Sequence, residues 1–156
     1  MSEQQPVVGI VLGSKSDLPV MQEAADILIE LWVPHELTIC SAHRQPERLR
    51  QYALSARERG LKVLIAGAGA AAHLPGVLAA WCTLPVIGVP LPGSELKGID
   101  ALLSMVQMPA GVPVATMAIG LAGAKNAAYF AAEIVGSWDE SVRGLYESYR
   151  RKLSEN

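Results

Sequence analysis

Three short clusters hold the residue types that do chemistry: Gly13-Ser14-Lys15-Ser16-Asp17, Ser41-Ala42-His43-Arg44, and the run from Gly67 to Gly76, Gly-Ala-Gly-Ala-Ala-Ala-His-Leu-Pro-Gly. In the first, the glycine permits a sharp turn, and hydroxyls beside the free backbone N–H groups of a helix start make an anion site. The same residues also read as plain helix capping by Ser14 or Ser16, with Asp17 favourable in the first turn. The pattern is neither a G-x-G-x-x-G nor a P-loop, so dinucleotides and ATP are not implied. In the second cluster an always-charged arginine adjoins an imidazole, a group that exchanges protons near neutral pH. Arg44 can clamp a phosphate through two hydrogen bonds while His43 stays available as acid or base. The third cluster offers glycines for close backbone approach and alanines for a tight wall over 67–72. His73 within it reads as a helix cap, a core histidine or a ligand contact. Together the three could hold a phosphorylated small molecule and move a proton on it.

Each cluster follows an apolar run that reads as a β-strand. Val7–Leu12, His35–Cys40, Lys62–Ala66, Pro85–Val89 and Val112–Met117 are the five strands. Between them Asp17–Trp32 has helical spacing, Pro46 opens a helix to about Arg59, and His73–Cys82 is a helix with Pro75 in its first turn. Gly98–Val106, Gly120–Val135 and an amphipathic Trp138–Lys152 complete the helices. Strict alternation implies a parallel sheet with right-handed crossovers, covered on both faces in three αβα layers. A flavodoxin-like order, 2-1-3-4-5, places strands 2, 1 and 3 side by side and gathers the clusters at the carboxyl edge, where such sheets bind ligands. Residues 1–156 are expected to form a single domain, its core at about 7–135 with a C-terminal helix at about 138–152.

Composition narrows the classes. The 13 basic and 15 acidic side chains form no basic run, so a nucleic-acid partner is not expected. Cys40 and Cys82 are far apart and fit reduced thiols, and the N-terminus carries no signal-peptide pattern, so a cytoplasmic protein is expected. Three scattered histidines (His35 reads as structural or surface) and two cysteines match no zinc spacing, so no metal is expected. Val63–Ser94 and Ala101–Ala124 contain no charged residue over 32 and 24 positions, yet their prolines and glycines break any membrane span. Such stretches leave little charged surface on the second half of the chain. A homo-oligomer covering part of it is one reading, and a monomer with an apolar core the other.

Taken together, the motifs resemble the N5-carboxyaminoimidazole ribonucleotide mutase family, from about Val7 to Val135. Gly-Ser-x-Ser-Asp, Ser-Ala-His-Arg-x-Pro, Ala-Ala-His-Leu-Pro-Gly, Pro-Val-Ile-Gly-Val-Pro (85–90) and Gln-Met-Pro-Ala-Gly-Val-Pro-Val (107–114) carry the likeness. The resemblance implies a flavodoxin-like subunit in an octamer with sites between subunits. It further implies a cofactor-free transfer of a carboxylate from the exocyclic nitrogen to ring carbon 4 of a phosphorylated imidazole ribonucleotide. By motif, Ser14, Ser41 and Arg44, with Ser16 beside them, would hold the 5′-phosphate region, and Asp17 the ribose hydroxyls. His43 would be the general acid–base, and Gly69, His73 and Leu74 would line the base and carboxylate end. The chain departs from the family pattern at Ala70 (glycine expected), Gln45 (threonine), Leu18 (aromatic) and Ala115 (glycine). An alanine at 70 is costly if that backbone needs a positive φ. Two rivals share these residues: a direct aminoimidazole ribonucleotide carboxylase using CO2, and a flavodoxin-like nucleotide-binding module without chemistry.

Overall fold

The computed structural model describes residues 5–155. Five parallel strands, β1 (Val8–Leu12), β2 (His35–Ile39), β3 (Val63–Gly69), β4 (Val86–Leu91) and β5 (Ala115–Thr116), form one sheet in the order β2-β1-β3-β4-β5. The helices are α1 (Leu18–Glu30), α2 (Pro46–Ala56), α3 (Leu74–Trp81), α4 (Ile99–Val106), α5 (Leu121–Gly136) and α6 (Glu140–Ser154). The expected flavodoxin-like architecture is therefore the one found.

Period-two alternation divides the strand side chains between two cores. Ile10, Leu12, Ile65, Ile87 and Val89 pack on one face against α1 and α5, with Val142 of α6 behind them. Val11, Leu64, Ala66 and Val86 pack on the other against Leu49 and Ala53 of α2, Leu78 of α3 and Met105 of α4. Both faces being covered is why β1 and most of β3 read as unbroken apolar runs. Asp139 caps α6, its Oδ1 accepting from the backbone N–H of Ser141 at 2.9 Å and of Val142 at 3.1 Å.

Several boundaries differ from expectation, three of them near the rim or the sheet edge. β5 has two residues instead of six, because Val112 N–H turns back to the Pro109 carbonyl at 3.2 Å, Gly111 has φ 96°, and Pro113 has no N–H to give a ladder. β3 runs on to Gly69, its last three residues pairing with Val89, Pro90 and Leu91 of β4. α1 is entered through a 3-10 turn at Lys15–Asp17 and starts at Leu18, whose side chain packs on the first core. Pro75 lies in the first turn of α3, where no donor is needed.

Candidate active site

Because β1 lies between β2 and β3, the loops leaving all three meet on one rim of the sheet. They enclose a cavity of about 390 Å3. Ser14, Ser16, Asp17, Ser41, His43, Arg44, Gly69, His73 and Leu74 all line it. Gly13, read from the sequence only as a turn, and Ala42, given no role there, line it too, as does Gly93. Gly93 comes from the end of β4, and the rule that ligands sit beyond the carboxyl ends of strands would have found it.

The first two loops are bolted together by Arg44. Ser14 does cap the 3-10 turn, its Oγ accepting from the Ser16 backbone N–H at 3.3 Å and from the Ser16 hydroxyl at 3.0 Å, and it still faces the cavity. Ser41 Oγ accepts from the Arg44 backbone N–H at 3.2 Å and from Arg44 Nε at 3.4 Å, while Arg44 Nη2 donates to the Gly13 carbonyl at 3.3 Å. Arg44 Nη1 makes no hydrogen bond among the described residues, which leaves that edge of the guanidinium for an anion. Gln45, where threonine was expected, finds a local partner: its Oε1 accepts from Ser41 N–H at 3.3 Å. A second cavity of about 460 Å3 shares Gly13, Ser14, Ser41 and Arg44 with the first and adds Lys15.

The third loop corrects the sequence reading in two places. The alanine wall is narrower than 67–72: Ala68, Gly69, Ala70 and Ala71 line the cavity, whereas Ala72 is buried in the second core and a Cβ on Gly67 would strike Met21. Gly69 is needed for close approach, since a Cβ there would stand 3.1 Å from the Leu91 carbonyl oxygen. Ala70 does adopt φ 51°. The left-handed conformation costs an L-residue about 1–2 kcal/mol, of which glycine's extra chain entropy takes back about 0.5–1 kcal/mol. Ala70→Gly is thus expected to stabilise the fold by about 1 kcal/mol, or about 3 °C in Tm by calorimetry. An unchanged or lower Tm would show that the loop relaxes around the alanine.

His73 stands at the N-cap position of α3 without capping it through its side chain, and it is no core residue. Its side chain makes no capping bond, and its Nδ1 lies 2.7 Å from His43 Nε2, with the ring centroids 4.8 Å apart and the planes at 83°. His35, by contrast, is structural, its Nδ1 lying 2.9 Å from the Val33 carbonyl oxygen. Among the described residues no three of His, Cys, Asp and Glu form a metal-binding group.

Partial burial pushes the Asp17 carboxyl above its ordinary range, opposed by the Ser14 backbone amide and by the charge of Arg44. An acid whose pKa is raised on folding contributes most stability while protonated, and that contribution is lost as pH rises through the raised value. Asp17→Asn escapes the loss. Its Tm is expected to exceed wild type modestly at pH 7, because the group is half exposed, and to match it below the ordinary carboxylate value of about 3.9. A lower Tm at pH 7 would mean that the Arg44 attraction outweighs desolvation.

Comparison with known proteins places these features. A family model described as AIR carboxylase matches residues 7–156. The N5-carboxyaminoimidazole ribonucleotide mutase of Bacillus subtilis is 59% identical over 97% of this chain and 93% of its own. A Saccharomyces cerevisiae protein named phosphoribosylaminoimidazole carboxylase is 54% identical over 97% of this chain, which spans 26% of that longer protein. Among solved structures, the crystal structure of Treponema denticola PurE superposes with a TM-score of 0.82 at 28% identity, covering 96% of this chain and 92% of the other.

Proposed function

The chain belongs to the AIR carboxylase family, and from that premise we propose that its cavity performs the mutase reaction with His43 as the one acid–base group. On that reading the protein is an isomerase of purine biosynthesis that acts on a phosphorylated imidazole ribonucleotide, as the names of its relatives state for them. The observation that carries the mechanistic reading is that one cavity is lined both by Arg44 with the Ser14 and Ser41 hydroxyls and by the hydrogen-bonded His43–His73 pair.

Protonation of the carbamate nitrogen makes it a leaving group, and His43 as imidazolium supplies that proton. The C–N bond breaks, and the bonding pair stays on nitrogen as CO2 departs. Carbon 4 of the electron-rich aminoimidazole then attacks CO2. Neutral His43 removes the carbon 4 proton, which restores the ring and the imidazolium. Arg44 with Ser14, Ser16 and Ser41 would hold the phosphate, Asp17 the ribose hydroxyls, and Gly69, His73 and Leu74, with Ala71 in the wall, would line the base and carboxylate end. No step calls for a cofactor.

CO2 must be kept from escaping, yet in a single chain both histidines are exposed. That supports a homo-oligomer, an octamer by family resemblance, with a neighbouring subunit covering the site. Leu96, Ile99, Leu103 and Val106, each over half exposed and at helical spacing along α4 and the loop before it, offer an apolar stripe for such contact. No helix among the described residues is long and apolar enough to cross a membrane. Both cysteines are free thiols, which supports a cytoplasmic location.

The name of the yeast relative favours a second reading, direct carboxylation of aminoimidazole ribonucleotide. The test is an assay of the purified protein without added cofactor. Rapid conversion of the carbamate ribonucleotide with no bicarbonate requirement is expected. Conversion only from the amine plus bicarbonate would make it the direct carboxylase, and turnover of neither would leave a nucleotide-binding module.

A further inference from the structure

We propose that His73 is a positioning residue that acts through His43: as a hydrogen-bond acceptor at Nδ1 it holds His43 in the Nε2–H form, so that His43 Nδ1 is the atom that releases and recovers the travelling proton. The inference rests on the mutase reading of the cavity and assigns a role inside it.

Two ring nitrogens 2.7 Å apart are hydrogen-bonded, one carrying the hydrogen and the other a bare lone pair. Which one donates follows from the proposed chemistry, in which His43 is the group that carries the added proton. Once His43 is the imidazolium, both of its nitrogens bear hydrogens, and His73 Nδ1 can only accept.

When His43 then gives up a proton, Nε2–H is already committed to His73, so the proton leaves from Nδ1. The ring keeps Nε2–H in both protonation states, and the hydrogen bond never has to break. This matters for a reaction that asks one group to be acid first and base second. Nδ1–H protonates the carbamate nitrogen, which keeps the C–N bonding pair as CO2 leaves. The Nδ1 lone pair then takes the carbon 4 proton, whose bonding pair returns to the imidazole ring of the substrate. One proton goes out and one returns at the same atom, with no rotation of the His43 ring between the halves. An orienting carboxylate plays the equivalent part for the histidine of a serine-protease triad. Here a neutral imidazole does so without placing a second negative charge beside a substrate that already carries a carboxylate. His73 is itself fixed at the backbone, its N–H donating to the Ala71 carbonyl at 2.8 Å and its carbonyl accepting from Val77 N–H at 2.9 Å.

The test compares His73→Asn with His73→Leu. Asn carries an acceptor, Oδ1, the same number of bonds from Cα as Nδ1 of histidine, and Leu carries none. The Leu variant is expected to lose about 10²-fold in kcat, the scale of a misplaced catalytic group, with KM within about threefold of wild type. The Asn variant should stay within about fivefold of wild type. Nitrogen-15 NMR of the ligand-free protein should show His43 as the Nε2–H tautomer in wild type and the Asn variant, and as a mixture in the Leu variant. Undiminished kcat in the Leu variant, or a loss confined to KM, would overturn the proposal. So would an Asn variant as slow as Leu, since His73 would then exchange protons itself. If wild type turns over neither ribonucleotide, the mutase reading fails, while the NMR comparison still upholds or overturns the tautomer assignment.

Discussion

His43→Asn is expected to lower kcat by about 10³-fold or more while leaving KM for the ribonucleotide within about threefold. General acid–base groups contribute about 10²–10⁴-fold each, and the proposed mechanism charges one group with two proton transfers, so the loss belongs at the upper end. A 10³-fold loss corresponds to about 4 kcal/mol of transition-state stabilisation. Asparagine is the informative replacement because its amide can still hydrogen-bond toward His73 but cannot exchange a proton near neutral pH. The contacts proposed to grip the ligand are elsewhere: Arg44 is held by Ser41 Oγ and the Gly13 carbonyl, neither of which involves His43. The loss should therefore fall on kcat, the signature of an interaction made only on the way to the transition state. Steady-state kinetics with the carbamate ribonucleotide decide the matter. A kcat within tenfold of wild type would remove His43 from the chemistry and turn attention to His73.

Much of this is legible in the amino-acid sequence itself. Strict alternation of apolar runs and helical periods fixes a parallel sheet, and the order 2-1-3-4-5 then forces the loops after β1, β2 and β3 onto one rim. Ser14, His43 and His73 converge for that reason alone. Part of what stayed illegible was set by tertiary contact. The hydrogen bond between His43 and His73 joins residues 30 apart, and no local pattern encodes it. Ala71 and Ala72 are alike as letters, but one faces the cavity and the other the core, a choice made by the backbone turn at Ala70. β5 shrank because Pro113 withholds a donor and Gly111 turns the chain, two effects that apolar periodicity does not register. Trp32, at φ 57° and 77% exposed, occupies a helix-ending position that favours glycine, and nothing in its own neighbourhood of the sequence announces that.

Arg44→Leu should lower kcat/KM by about 10²–10³-fold, mostly through KM. Charge-assisted hydrogen bonds contribute about 1.5–3 kcal/mol each, and a guanidinium that meets a phosphate with two of them stands to lose about 3–4 kcal/mol of binding. The structure adds a second reason. In the free protein Arg44 ties the β1 loop to the β2 loop through the Gly13 carbonyl and Ser41 Oγ, so its removal also frees two of the hydroxyl-bearing segments that would meet the phosphate. Arg44→Lys separates the two effects. Lysine keeps a positive charge but has no planar fork, so it cannot reach Ser41, Gly13 and a phosphate together. If charge alone mattered, Lys would recover most of the affinity; if the fork matters, Lys should remain at least about tenfold weaker than wild type. Titration of either variant with the product ribonucleotide, and with the same nucleoside lacking its phosphate, makes the assignment direct. Wild type should prefer the phosphorylated ligand strongly, and the Leu variant should bind both almost equally. A Leu variant that still discriminates would place the phosphate elsewhere, and the cavity that Lys15 and Gln45 share with Ser14 and Ser41 would be the next region to probe.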